Sequence, residues 1–189
     1  MKVIKKRTSK NIFSISMKAS FLISLFFFGC KEAKKSEQEL EKNNFTIQIE
    51  IEIPTNEELI VYYKDGKNQW FVEKKAIWRN VKGSKKSQKV IFTIPNQIVP
   101  NDFRIDIGRN VYKGLSYCII KSIAIGFQGR YYVIPENKVL NYFNPNQFII
   151  YDKKTKIFKF SKDAKGNYDP FFESKETLYP LLVEVVMGS

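Results

Sequence analysis

Phe45-Thr46-Ile47-Gln48-Ile49-Glu50-Ile51-Glu52-Ile53 alternates apolar and polar residues without a fault. Side chains of a β-strand point to opposite faces in turn, so period two sorts the phenylalanine and isoleucines onto one buried face and the polar residues onto a wet one. One buried and one solvated face is the signature of an antiparallel sheet. Pro54-Thr55-Asn56 ends the run.

Similar stretches recur downstream. Leu59–Lys64 reads as a second strand, and Asp65-Gly66 as a hairpin-type turn into Trp70-Phe71-Val72. Ala76–Val81, Lys89–Ile94 and Phe103–Ile107 follow. Cys118–Phe127 is the most apolar stretch of the chain after Cys30 and reads as a central strand. Tyr131–Ile134, Phe148–Tyr151, Lys156–Phe160 and Leu181–Val186 complete the series, separated by Pro-, Asn-, Gly- and Asp-rich breaks. Short strands at regular intervals with little helical periodicity predict an all-β chain, an antiparallel β-sandwich of jelly-roll-like form, over residues 45–189. Phe45, Phe71, Phe92, Phe103 and Phe127 fall at buried phases and are expected in its core.

The residues before the sandwich carry a different signal. Phe21-Leu-Ile-Ser-Leu-Phe-Phe-Phe-Gly-Cys30 is a short apolar run that ends at Gly-Cys. It resembles the export signal of a bacterial lipoprotein, whose apolar segment is shorter than the ~20 residues a membrane span needs. The resemblance implies a signal peptide over residues 1–29, cut before Cys30, and a lipid on the Cys30 sulfur. Met17-Lys18 and the following run would by themselves make a compact signal. Residues 30–44 would then be the lipidated cysteine and a polar tether. The product would sit in the cell envelope, at the outer membrane, held through the lipid on Cys30; its periplasmic or surface face stays open.

Charge and composition narrow the function classes. The chain carries +13, but Lys2, Lys5, Lys6, Arg7, Lys10 and Lys18 lie in the expected signal, and without these six the balance is +7. Beyond the signal the arginines are Arg79, Arg104, Arg109 and Arg130. Scattered lysines mostly solvate a surface, whereas phosphate and base edges favour arginine forks, so no nucleic-acid partner is expected. The chain has no histidine, which removes the usual base for a serine or cysteine nucleophile and the commonest zinc ligand. Cys118, left alone in an apolar run, reads as a buried, inert thiol. No enzyme activity, cofactor or metal is expected.

Lys89–Ile125 carries a second resemblance. Val90-Ile91-Phe92-Thr93-Ile94-Pro95, Phe103-Arg104-Ile105-Asp106-Ile107-Gly108 and Ile120-Lys121-Ser122-Ile123 look like the corresponding strands of carbohydrate-binding-module-like jelly-roll domains. The likeness implies a sandwich fold and, with it, recognition of a glycan or polysaccharide. Arg104 and Asp106 share one strand face, where they either hold a ligand's hydroxyls or form a structural ion pair. Trp70 and Trp78 flank polar turns, where an indole either stacks on a sugar face or fills the core. Tyr62-Tyr63 and Tyr131-Tyr132 must each turn one ring outward. Trp70, Trp78, Arg104 and Asp106 are therefore the candidate ligand-binding residues. The alternative function is a structural or protein-interaction subunit of an envelope complex, docking on a protein partner without a sugar.

Overall fold

The computed structural model of the chain describes residues 43–66, 70–108 and 117–188. The expected signal, Cys30 and most of the tether lie outside these residues. The fold is an antiparallel two-sheet sandwich, 53% strand and 16% helix. Its strands are β1 (Phe45–Ile53), β2 (Glu57–Lys64), β3 (Ala76–Val81), β4 (Ser84–Ile94), β5 (Asp102–Ile107) and β6 (Tyr117–Phe127), then β7 (Arg130–Pro135), β8 (Phe143–Pro145), β9 (Ile149–Asp152), β10 (Ile157–Phe160) and β11 (Phe171–Ser174). The first sheet runs β4-β1-β6-β10-β9, with β7 also paired to β6, and the second runs β3-β2-β5-β11-β8.

The alternation of β1 is realised in full. Phe45, Ile47, Ile49, Ile51 and Ile53 are buried, and the polar residues between them are half-exposed. β1 lies between β4 and β6, neither adjacent to it in sequence. The register against β6 slips between Glu50, opposite Ser122, and Ile51, opposite Ile120, so Lys121 is one residue too many. This β-bulge lets Ile120 and Ile123 both face inward, with two polar residues between them on the outside. The two sheets meet through aromatic pairs. Phe45 lies 6.0 Å from Phe103, and Phe158 of the first sheet meets Phe172 of the second edge-on at 5.0 Å.

Three expectations change. Leu181–Val186 is not a strand but part of an α-helix, α2 (Tyr179–Met187); among the described residues the other α-helix, α1 (Val139–Tyr142), is a single turn. Leu178, Leu181, Leu182 and Val185 are buried, and their spacing of three, one and three is that of one helical face. Pro180 sits in the first turn and Gly188 ends the helix at φ 74°. Arg130 Nη2 donates to the Val186 carbonyl at 2.5 Å, a cation placed on the negative end of the helix.

The second change concerns Trp70-Phe71-Val72, which is not a strand. β2 pairs instead with β3, Tyr62 opposite Ala76. Gly66 takes a positive φ of 79°, but the chain makes a longer excursion, pinned where Lys75 Nζ meets Asp65 Oδ1 at 2.6 Å. Phe71 consequently lies half-buried outside the core cluster. The third change is the addition of β8 and β11, too short and too rich in turn-type neighbours to show a period. Pro145 is tolerated in β8 because that strand is a sheet edge.

Candidate functional site

The outward face of the second sheet gathers most of the residues singled out in the sequence. Leu59, Val61 and Tyr63 of β2 point into the core, so Ile60 and Tyr62 point away from it. Register then sets whole rows on that outer face. Trp78, Ile60, Asp106 and Phe171 stand side by side across β3, β2, β5 and β11, and Ala76, Tyr62, Arg104 and Glu173 form the next row. Trp78, Arg104 and Asp106 thus share one surface. Trp78 is half-buried, and Ile60 beside it is 0% exposed although it lies outside the core cluster.

Arg104 and Asp106 form a two-point ion pair. Arg104 Nε donates to Asp106 Oδ1 at 2.7 Å and Nη2 to Oδ2 at 3.0 Å. Nη2 also reaches both carboxylate oxygens of Asp169 at 3.2 Å. The guanidinium lies over the Phe171 ring, 3.8 Å from its centre, with the Tyr62 ring at 5.7 Å. Partial burial is the largest influence on Arg104 and disfavours its charge, but the hydrogen bonds and charges of Asp106 and Asp169 outweigh it and raise its pKa above the ordinary value. Asp106 is only 6% exposed. It anchors Arg104, and Arg104 in turn faces solvent-accessible space.

That space is a cleft of about 230 Å³ lined by Tyr62, Phe71, Glu73 and Arg104. Lys64 lies over the Phe71 ring at 4.2 Å while Nζ holds Asp102 Oδ2 at 2.8 Å. Two aromatic rings, a guanidinium and a carboxylate converge on a space smaller than the roughly 300–1,000 Å³ of enclosed small-molecule sites. Such a cleft suits one ring or one chain end held at the surface. Trp70, immediately before Phe71, is 77% exposed; its neighbours Lys67 and Asn68 lie outside the described residues.

Of the four candidate ligand-binding residues, Trp78, Arg104 and Asp106 lie on this outer face, and Trp70 directly precedes the cleft-lining Phe71. Phe71 was expected in the core and instead lines the cleft. Tyr62 carried a signal, since one ring of Tyr62-Tyr63 had to turn outward. Glu73 carried none; it lies in a short 3-10 turn, Glu73–Lys75, placed by the fold of the β2–β3 connection.

The first sheet offers a different outer surface. Tyr131, opposite Gly126, is 68% exposed, and its ring covers the glycine so closely that a Cβ there would lie 2.5 Å from Cε1. Val133 and Ile91 are exposed on the same face. This surface carries those apolar groups together with the Lys121–Glu52 ion pair at 3.3 Å.

Cys118 is fully buried, and burial pushes its thiol pKa well up, which leaves no thiolate for chemistry. Among the described residues, no group of three or more Cys, Asp or Glu side chains is arranged to hold a metal ion. Among the same residues, no helix is long and apolar enough to cross a membrane. No protein-family model, curated protein or solved structure matches the chain.

Proposed function

We propose that this protein is a lipid-anchored binding protein of the cell envelope, at the outer membrane, and that it recognises a glycan on the outer face of its second sheet. The observation that carries this reading is the cleft in which Tyr62 and Phe71 stand beside Arg104 and Glu73. Aromatic faces take the C–H face of a sugar ring, and the charged groups donate to and accept from its hydroxyls. The likeness of residues 89–125 to carbohydrate-binding-module-like domains supports the same reading.

A glycan array probed with the full chain in detergent tests it. Binding should be lost in Tyr62→Ala and weakened in Trp70→Ala, both folded by circular dichroism. Binding that survives Tyr62→Ala would put the ligand elsewhere. A protein-interaction role without a sugar is the second reading, favoured by Tyr131, Val133 and Ile91 on the outer face of the first sheet. The anchor has its own test: Cys30→Ser should remove lipid labelling and leave an unprocessed precursor, and a processed, membrane-held variant would reject it.

A further inference from the structure

The charges around the cleft narrow the ligand class. An anionic sugar, a uronate or a sulfate ester, is gripped best by a guanidinium fork that offers two parallel N–H donors. In Arg104 that fork is already taken, because Nε and Nη2 both donate to Asp106 and Nη2 also to Asp169. The carboxylates of Asp106 and Asp169 therefore both engage the Arg104 guanidinium. Glu73 adds a third carboxylate to the lining, and Glu173 stands opposite Arg104 in the register. The neighbouring cations are also engaged, Lys64 with Asp102 and Lys75 with Asp65. Among the described residues, Arg104 is the single cation lining the cleft.

We propose that the cleft selects uncharged glycans and rejects uronate- and sulfate-bearing ones, against the basic balance of the chain as a whole. This deepens the glycan reading and rests on it. A sugar hydroxyl both donates and accepts. It can give its proton to the Glu73 carboxylate and receive one from Arg104 Nη1, which makes no hydrogen bond among the described residues. A carboxylate or sulfate has only acceptors. It would have to displace Asp106 from the fork or face Glu73, Asp169 and Glu173 within the range over which charges act in physiological salt, about 8–10 Å.

The experiment compares two sets of probes on the full chain in detergent, at low and high salt. Neutral oligosaccharides from xylan, mannan, galactan and glucan form one set, and polygalacturonate and dextran sulfate the other. The expected result is a neutral oligosaccharide whose binding is lost in Tyr62→Ala and barely changes with salt, since no counterions are released. Glu73→Lys should weaken that binding and strengthen polygalacturonate binding at least about tenfold, because the reversal supplies the missing cation. Acidic-glycan binding that salt abolishes and Tyr62→Ala leaves intact belongs to surface lysines and agrees with the proposal. An acidic glycan bound at low salt and lost in Tyr62→Ala would overturn the selectivity while leaving the site in place. Binding of neither set would overturn the glycan reading and the selectivity together.

Discussion

Asp106 holds Arg104 from two positions further along the same strand, accepting from Nε at 2.7 Å and from Nη2 at 3.0 Å. Residues i and i+2 of a strand share a face, so the pair needs no distant partner to form. The carboxylate is buried and the guanidinium is sandwiched against Phe171. Such a pair fixes the cleft wall and fastens the β5–β11 pairing at once.

Asp106→Ala should therefore lower stability by about 1–3 kcal/mol, because it strands the Arg104 donors next to an aromatic ring. Asp169 remains as a second acceptor and keeps the loss below that of a wholly isolated charge. Urea unfolding measures it. A midpoint equal to that of the unaltered chain would show that Asp169 alone is enough to hold the guanidinium.

The two tryptophans should separate in the same measurement. Trp70 is 77% exposed, so Trp70→Ala should change stability by no more than about 0.5 kcal/mol. Trp78 is half-buried beside Ile60, and Trp78→Ala should cost about 2 kcal/mol, less than the ~3–5 kcal/mol of a fully buried aromatic. Equal urea midpoints for the two variants would contradict the burial difference. Of the two, only Trp70 then remains free to serve as an exposed platform beside the cleft.

Gly83 marks a close approach of two backbones. A Cβ there would lie 2.7 Å from the Pro54 carbonyl oxygen and 2.7 Å from the Thr55 carbonyl carbon. Backbone cannot turn aside as a side chain can, so Gly83→Ala should cost about 3 kcal/mol or more. At Gly126 the obstruction is the movable Tyr131 ring together with the Thr46 hydroxyl, and Gly126→Ala should cost about 1 kcal/mol, the low end of overpacking. The order of the two melting temperatures is the check.

How much of this could be read in the chain depends on how local each cause is. The β1 strand and the face shared by Arg104 and Asp106 follow from period two alone. The bulge at Lys121 also has a local trace, two polar residues between isoleucines in an otherwise apolar strand. The C-terminal helix had one too, in Leu178, Leu181, Leu182 and Val185 with Pro180 and Gly188 around them. The compact apolar run Leu181–Val186 masked it, since a short apolar run fits a buried strand equally well. The cleft was less legible. Trp78 and Tyr62 reach one surface through strand pairing between distant segments, and Phe71 and Glu73 reach it through an irregular connection with no period to read.

Tyr168 gives a prediction that depends on pH. Its hydroxyl is buried and has no hydrogen-bond partner among the described residues. Burial first, and then the negative charge of Glu57, push the phenol up from 10.0 to about 12. The unfolded chain therefore releases this proton near 10.0, while the folded chain keeps it to about 12. The folded state binds more protons in that interval, so the contribution is complete below 10.0 and is lost as pH rises towards 12. Tyr168→Phe removes the titrating group. Its stability should fall less steeply over this interval, although Tyr63 and Tyr142, also raised, leave some slope. At neutral pH the same change removes a stranded hydroxyl and should leave stability equal or higher by about 1 kcal/mol. Urea midpoints across the alkaline range test both parts. A variant less stable at neutral pH would show that the hydroxyl is hydrogen-bonded in the folded chain, and one as alkali-sensitive as the original would show that folding does not raise its pKa.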